Sequence, residues 1–181
     1  MDDEAHGWLE ALDSGDSAID RVAAAFQRRA ARWQRFGMTR DHLLTQWESG
    51  VLTMAVDVDD TSARVNIRTL RADFDGRRVL VGRDSTGQLV EPLVEGDEVQ
   101  SYDVTGQTPE AIGQLMAERL EPEILRPIIR EEWDSLRFTR WVLADSGREL
   151  VWSSSTNRRP ARLGEPQRRT AVWGPFAAPA G

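Results

Sequence analysis

The residues best suited to chemistry are the acids that follow an apolar run at residues 54–56. Asp57, Asp59 and Asp60 come directly after that run, and Thr61 follows them. Residues two apart on a strand share a face, so Asp57 and Asp59 are expected to point the same way. Such a pair could bind a hard cation or exchange protons with a substrate. The simpler interpretation is a solvated turn, in which case the sequence assigns no catalytic and no metal-ligating residue.

An apolar strand that runs into Asp-x-Asp-x-Thr resembles the first motif of the haloacid-dehalogenase superfamily of phosphatases, here over residues 54–61. The resemblance implies that Asp57 is the nucleophile, Asp59 the general acid or base, and Mg²⁺ the cofactor. The family's motif leads from a parallel strand into a helix, whereas an alternating strand follows here. The family's later acidic motif would have to be Gly96 and Asp97, without the helical crossover that a parallel βαβ unit needs. A metal-assisted phosphoester hydrolase using Asp57 and Asp59 is therefore the alternative function.

The sequence contains few residues that could carry out other kinds of catalysis. The chain has no cysteine, and all 23 of its Lys and Arg residues are arginine. Thiolate ligands, a Cys nucleophile, a Schiff-base lysine and a phosphate-binding lysine are therefore excluded. The histidines are His6 and His42, and neither belongs to a nucleophile motif. No glycine-rich loop has the spacing that holds a phosphate, so we predict no cofactor and a protein that is not an enzyme.

Arginines and aromatic residues offer binding surfaces instead. One group of arginines recurs at helical spacing opposite an apolar stripe, and a second group recurs at strand spacing. Two aromatic residues near the C-terminus could dock on the body of the protein or on a partner, since Trp is enriched at interfaces. A small-ligand site lined by Trp and Arg is a further alternative. The predicted binding residues are Arg28, Arg32, Arg35, Arg64, Arg68, Trp173 and Phe176.

Charge is distributed unevenly along the chain, whose net charge is −7. Residues 1–20 contain seven acids and no base, and residues 21–40 contain six arginines and no acid. Adjacent blocks of opposite sign can neutralise each other within one molecule. The negative net charge argues against nucleic acid as the ligand, because phosphate neutralisation supplies much of that affinity.

Length and composition indicate a folded, soluble protein. The chain has 181 residues, of which 40% are hydrophobic, and seven are Trp. No apolar stretch approaches the ~20 residues that span a bilayer. The N-terminus is acidic where a secretory signal needs basic residues. We therefore expect a cytoplasmic protein without membrane association.

Hydrophobic periodicity predicts helices first and strands after them. A short helix around Trp8 and Leu12, a helix from Ser17, and a helix that Thr39 caps make up the N-terminal part. A meander follows, with a central strand over residues 62–70. In that strand Ala63, Val65 and Ile67 are expected to face the helices, and Arg64, Asn66 and Arg68 the solvent or a partner. The three strands of the meander are Val51–Asp57, Ser62–Leu70 and Arg77–Arg83.

The second half is predicted to mix both element types. Residues 88–94 and 99–104 look like short strands, and Thr108 with Pro109 begins a helix. Helical spacing continues to Trp133 across Pro122 and Pro127, which predicts a helix pair at 108–133. Residues 136–143 and 149–152 flank a turn sequence and form a closing β-hairpin. The tail from residue 155 is rich in Pro and Arg and is predicted to be extended and largely without regular structure.

These patterns predict the α+β class, with N-terminal helices, a mostly antiparallel sheet of four to six strands, the helix pair and the closing hairpin. Residues 1–154 form a single domain in this prediction, and residues 155–181 the tail. The function that we favour from sequence is non-catalytic protein–protein binding, as an adaptor, a chaperone-like factor or an immunity-type factor. A protein partner is expected, and a homodimer is left open.

Overall fold

The computed structural model of the chain describes residues 11–84, 93–96 and 98–174. These residues form two α-helices and two antiparallel sheets, one of five strands and one of four. The predicted α+β class is therefore confirmed. Neither helix in this part of the chain combines the length and the apolar composition needed to span a bilayer.

The chain divides into two compact units. The first consists of Met1–Asp57 and Thr69–Ile124, and the second of Val58–Arg68 and Leu125–Gly181. Two consecutive strands, named β2 and β3 below, contribute residues to both units. The single domain over residues 1–154 stays a prediction.

The five-stranded sheet has its strands in chain order. The first two strands are joined by the two-residue turn Ser49-Gly50, where φ is +51° and +80°. Positive φ at both positions is the signature of a type I′ hairpin turn, which matches the twist of the strands. The strands are β1 Leu43–Glu48, β2 Val51–Asp60, β3 Val65–Phe74, β4 Arg78–Asp84 and β5 Val99–Asp103.

Two helices belong to the first unit, α1 Ser17–Ala30 and α2 Pro109–Ile124. The side chain of Asp16 caps α1 by accepting a hydrogen bond from the Ala18 amide at 2.8 Å. The two helices pack so closely that a Cβ at Gly113 would lie 2.2 Å from the Val22 carbonyl oxygen. Glycine is therefore required there, and α2 also packs on β4. The fully buried apolar residues of α1 and β2 that build this core include Val22, Phe26, Leu52, Met54 and Val56.

The four-stranded sheet belongs to the second unit and has the order β8-β7-β6-β9. One of its faces holds an aromatic cluster, in which the Phe138 ring lies 5.7 Å from Trp133 and 5.9 Å from Trp152. The Trp133 indole donates to the Gly164 carbonyl at 2.9 Å, which fixes the segment before the last strand. The strands are β6 Ile128–Trp133, β7 Phe138–Leu143, β8 Glu149–Ser154 and β9 Arg168–Trp173.

The structure corrects the predicted N-terminal helices. α1 continues as a 3₁₀ helix, Ala31–Phe36, and the helix predicted after Thr39 is only the 3₁₀ turn Arg40–His42. Leu43–Glu48 is β1, because the type I′ turn that follows lets it pair with β2 along its length. The predicted helix around Trp8 falls mostly outside the described residues, and residues 11–16 are not helical.

The predicted helix pair at 108–133 is also corrected. α2 ends at Ile124, and residues 128–133 form β6, which pairs with β7 on one side and β9 on the other. Pro127 separates the two elements, since proline disfavours the helical conformation in the residue before it. The closing hairpin β7–β8 is confirmed. Residues 155–167 of the tail contain no helix or strand, as predicted, whereas Arg168–Trp173 forms β9, which was not predicted. Most of the strand predicted at residues 88–94 lies outside the described residues.

Candidate functional sites

Three arginines predicted to bind a partner lie on one exposed side of the first helical region. Arg28 is in the last turn of α1, and Arg32 and Arg35 follow in the 3₁₀ helix. Spacings of four residues and then three place them in one row, because residues three apart are eclipsed in a 3₁₀ helix. All three are exposed, and none forms an ion pair with a carboxylate among the described residues. We call Arg28, Arg32 and Arg35 the arginine row.

The neighbouring arginine is used differently. Arg29 is one residue from Arg28 but points towards α2, where its guanidinium donates to Glu121 at 2.8 Å and lies 3.6 Å from Glu118. Arg35 contacts the aromatic ring of its neighbour Phe36, whose centre lies 4.6 Å from the guanidinium. The acids of α2 therefore neutralise Arg29, whereas no acid in the described part of the chain forms an ion pair with the arginine row.

Asp57 and Asp59, the candidate nucleophile and acid, are both half-buried on β2. Asp57 accepts a hydrogen bond from the Thr69 hydroxyl on the neighbouring strand. β2 runs on to Asp60 and then turns into an antiparallel partner, so the strand-to-helix step of the phosphatase motif is not present at residues 54–61. No group of three or more acidic or histidine side chains in the described ranges is placed to hold a metal ion.

Asp60 was not among the predicted site residues, but its buried carboxylate accepts four hydrogen bonds. It is 2% exposed. One carboxylate oxygen accepts from the Ser62 hydroxyl at 2.7 Å and the Ala63 amide at 3.1 Å. The other accepts from Arg130 at 2.8 Å and from the Trp141 indole at 2.9 Å. These four donors join the β2–β3 turn to β6 and β7 within the second unit.

The environment of Asp60 lowers its pKa. Burial by itself would raise the pKa of this carboxyl group, because it penalises the charged form. The hydrogen bonds from Ser62, Trp141 and the Ala63 amide, together with the Arg130 charge, favour the ionised form and outweigh burial. Asp60 is therefore a structural anion rather than a proton donor at neutral pH.

The two arginines predicted on the central strand differ in position. Arg64 is exposed in the turn before β3, with φ at +55°, and lines a cavity of about 340 Å³. Arg68 lies within β3 and is 3% exposed, so the prediction that it faces solvent is wrong. The cause is that β3 begins at Val65, after a turn, and both faces of the strand are covered beyond Asn66. The other residues lining the cavity are Asp59, Asp60, Thr61, Val65 and Asn66.

The remaining predicted binding residues lie in the tail. Trp173 is the last residue of β9 and is 7% exposed, so its side chain is buried rather than open at the surface. Phe176 lies outside the described residues.

A closed polar network lies on the β2–β3 face of the first unit. Arg71 and Asp73 are each 3% exposed. Asp73 accepts from Arg71 at 2.7 Å, from the Thr53 hydroxyl at 2.9 Å and from the Leu93 amide at 3.0 Å. Asp73 holds the start of the described segment 93–96 against the sheet. The donors and acceptors of this network are matched to one another, which indicates a structural role.

The second unit contains a cluster of paired charges around Glu131. This side chain is 4% exposed. One oxygen accepts from Arg140 on β7 at 2.7 Å, and the other accepts from Arg169 on β9 at 2.9 Å. Arg140 also lies 5.2 Å from the Trp133 ring centre, so Trp and Arg contact each other here rather than line a ligand cavity. We call Glu131, Arg140 and Arg169 the Glu131 cluster.

The alternation of apolar residues along β2 could have predicted that Asp60 is buried. Alternate residues of β2 share a face, and Leu52, Met54, Val56 and Val58 are apolar and buried. Continuing that alternation by one step places Asp60 on the buried face. The identity of its partners, Arg130 and Trp141, could not be found that way, because they are about 70 and 81 residues away.

Comparison with family models, curated proteins and solved structures found no match to the chain.

Proposed function

We propose that this chain is a non-catalytic protein-binding factor and that the arginine row holds an acidic surface of a protein partner. The observation that supports the proposal is the contrast between adjacent arginines. Arg29 is neutralised by acids of α2, whereas Arg28, Arg32 and Arg35 are exposed and have no carboxylate partner among the described residues. A row of like charges at these spacings destabilises a helix by about 0.2–0.5 kcal/mol per pair, so its retention favours a use outside the fold.

The guanidinium groups of the arginine row are well suited to bind carboxylates. Guanidinium groups bind carboxylates in a planar, two-pronged geometry, and arginine is enriched at protein interfaces. A row at spacings of four and three residues matches the acidic side of a partner helix or a short acidic segment. Positive charge gathered on one side of the first unit would also accelerate association with such a partner.

Nucleic acid fits the same row less well. Neutralising three phosphates gives only a shallow dependence of affinity on salt, with a slope of roughly −0.9 per contact on duplex DNA. The chain as a whole carries a net charge of −7 and would be repelled by a phosphate backbone. An acidic protein surface of limited extent avoids that cost, since the contact is confined to the row.

The experiment uses a charge-matched pair of variants. The first is Arg28→Gln, Arg32→Gln and Arg35→Gln combined. The second is Arg137→Gln, Arg158→Gln and Arg162→Gln combined, which removes three exposed arginines of the second unit that form no ion pair in the described part of the chain. Candidate partners are captured on wild type and on both variants in parallel, and binding is then measured between purified proteins.

We expect a purified partner that binds wild type and the second variant alike and binds the first at least tenfold more weakly. Partners that bind the first variant as tightly as wild type would contradict the proposal. Tight binding of a generic DNA duplex by wild type that is lost in the first variant would show instead that the row binds a nucleic acid.

A further inference from the structure

β1 is an edge strand whose first five residues are uncharged. It pairs with β2 on one side, and no strand of the described residues lies on its other side. Its residues from Leu43 to Trp47 carry no charge, whereas β9, an edge strand of the other sheet, begins with Arg168 and Arg169. Unpaired backbone groups on an uncharged edge are a template for another strand, and charges are a common means of preventing that pairing.

Apolar side chains lie beside this edge on both faces of the sheet. Leu44 is 43% exposed. Leu43 and Thr45 are half-buried and lie opposite Val56 and Met54 of β2, which are fully buried. A groove of about 280 Å³ runs beside the first half of the strand. Its lining residues on the strand are Leu43, Leu44 and Thr45, joined by Leu12, Gln27 and Arg40.

We infer that a second copy of this chain occupies the edge, with the two β1 strands antiparallel about a two-fold axis. A two-fold axis perpendicular to the sheet places the same face of both copies on the same side of the joined sheet. Residues that lie opposite each other must therefore both be odd-numbered or both be even-numbered. Three such registers are centred within the strand, on Leu44, Thr45 or Gln46. The five-stranded sheets of the two copies would join into one.

The register centred on Thr45 is the most self-complementary. This register pairs five residues of each strand. Leu43 lies opposite Trp47 of the second copy, and the two-fold symmetry creates the same Leu43–Trp47 pair a second time. Thr45 lies opposite its own copy, and Leu44 lies opposite Gln46. Pairs of aromatic with aliphatic residues and of Thr with Thr are among the stabilising cross-strand pairs. In the same register, Trp47 of the second copy lies beside Leu43, at the end of β1 that lines the groove.

The other two registers are poorer. Centring on Leu44 overlaps only residues 43–45. Centring on Gln46 places the charged Glu48 opposite the exposed Leu44. In the Thr45 register, Glu48 falls just beyond the overlap, opposite His42 of the second copy. Five paired residues form a small interface, so we expect a dimer that dissociates on dilution.

The absence of cysteine from the sequence allows a direct test of the register. Thr45→Cys, Leu44→Cys and Gln46→Cys are prepared singly, with Ser135→Cys as an exposed control outside β1. Directly opposite residues on antiparallel strands have Cα atoms about 4.5–5.5 Å apart, within the range that a disulfide bridges, whereas residues displaced by two positions exceed about 7 Å. Each variant is oxidised at a concentration at which wild type sediments as a dimer.

We expect Thr45→Cys to form a covalent dimer at least tenfold more efficiently than the other three variants. A mixture of Leu44→Cys and Gln46→Cys should form a mixed dimer more efficiently than either alone. Leu44→Glu, at an exposed position, should keep its thermal stability and sediment as a monomer. Wild type that remains monomeric at every concentration, or cross-linking that is equal at Thr45 and Ser135, would overturn the inference.

Discussion

Two groups of arginines in this molecule are placed in opposite ways. In the Glu131 cluster, Arg140 and Arg169 lie on the strands that flank β6, and both donate to one buried carboxylate. In the arginine row, Arg28, Arg32 and Arg35 are equally regular in spacing but have no acid beside them among the described residues. Residue type therefore does not decide the use of an arginine here. The neighbouring element decides it, by supplying acids or by supplying none.

The difference has a structural origin. Cross-strand register fixes which side chains lie opposite each other, so Glu131 is directly opposite both Arg140 and Arg169. A helix presents several sides, and α2 covers only the side of α1 that carries Arg29. We therefore expect that removing a buried carboxylate lowers the free energy of unfolding strongly, and that removing the arginine row leaves it almost unchanged.

The largest expected effect is at Asp60. Asp60→Ala leaves the Trp141 indole and the Arg130 guanidinium without their carboxylate, and breaking a buried pair on one side costs about 3–5 kcal/mol. Urea unfolding followed by Trp fluorescence measures the loss. The control is Asp134→Ala, whose side chain is 60% exposed beside Arg168 and should change stability by less than ~1 kcal/mol. Equal losses in the two variants would refute the structural role of Asp60.

Acid should act through the same carboxyl group. The pKa of Asp60 is lowered in the folded protein, so its contribution to stability is complete above its unfolded pKa and is lost as pH falls through the lower folded value. Below about pH 4, wild type should therefore lose stability more steeply with falling pH than Asp60→Asn does. Unfolding free energies measured at a series of pH values provide the check, and parallel curves would contradict this assignment.

A smaller effect is expected at the Glu131 cluster. Glu131→Gln replaces a carboxylate that receives two guanidinium groups, and we expect a loss of about 1–3 kcal/mol, limited because both arginines reach solvent. The matched control is Glu132→Gln on the same strand, where Arg168 and Arg130 approach only to 3.4 and 3.5 Å. That control should lose less than Glu131→Gln, and the opposite order would show that the cluster is not what holds the strands.

The smallest effect on stability is expected at the arginine row. The triple variant Arg28→Gln, Arg32→Gln and Arg35→Gln should change the unfolding free energy by no more than ~0.5 kcal/mol, as surface substitutions usually do. Arg29→Gln should lose more than any single change in the row, because it breaks the pair with Glu121. Thermal melts of the triple variant, of Arg29→Gln and of the three single changes in the row decide between these outcomes. A loss in the triple variant as large as that of Glu131→Gln would make the row structural.

Local patterns in the sequence were enough for much of the fold. The meander, α2 from Pro109 and the hairpin β7–β8 carry their own signals, which are alternation, capping and turn residues. Segments that pair with distant partners were predicted less well. β1 and β6 have helical spacing of apolar residues, and only pairing across the sheet makes them strands. β9 is polar and rich in arginine, and it forms because β6 offers a free edge.

The candidate sites show the same limit. The arginine row could be predicted because spacing along one helix determines its face. Arg68 could not be placed correctly, because its burial depends on what covers β3 and not on the strand alone. The partners of Asp60 and Glu131 come from other strands of the second unit, and no local pattern names them.

If the arginine row binds an acidic protein surface, as we propose, the affinity for the partner should depend on salt through Arg28, Arg32 and Arg35. The dissociation constant of a purified partner is measured from low to high ionic strength for wild type, the row variant and the variant at Arg137, Arg158 and Arg162. Salt screens exposed charges, so wild type and the second variant should lose affinity as salt rises. The row variant should bind weakly at every salt concentration with a nearly flat dependence. The same steep dependence in all three proteins would contradict the claim.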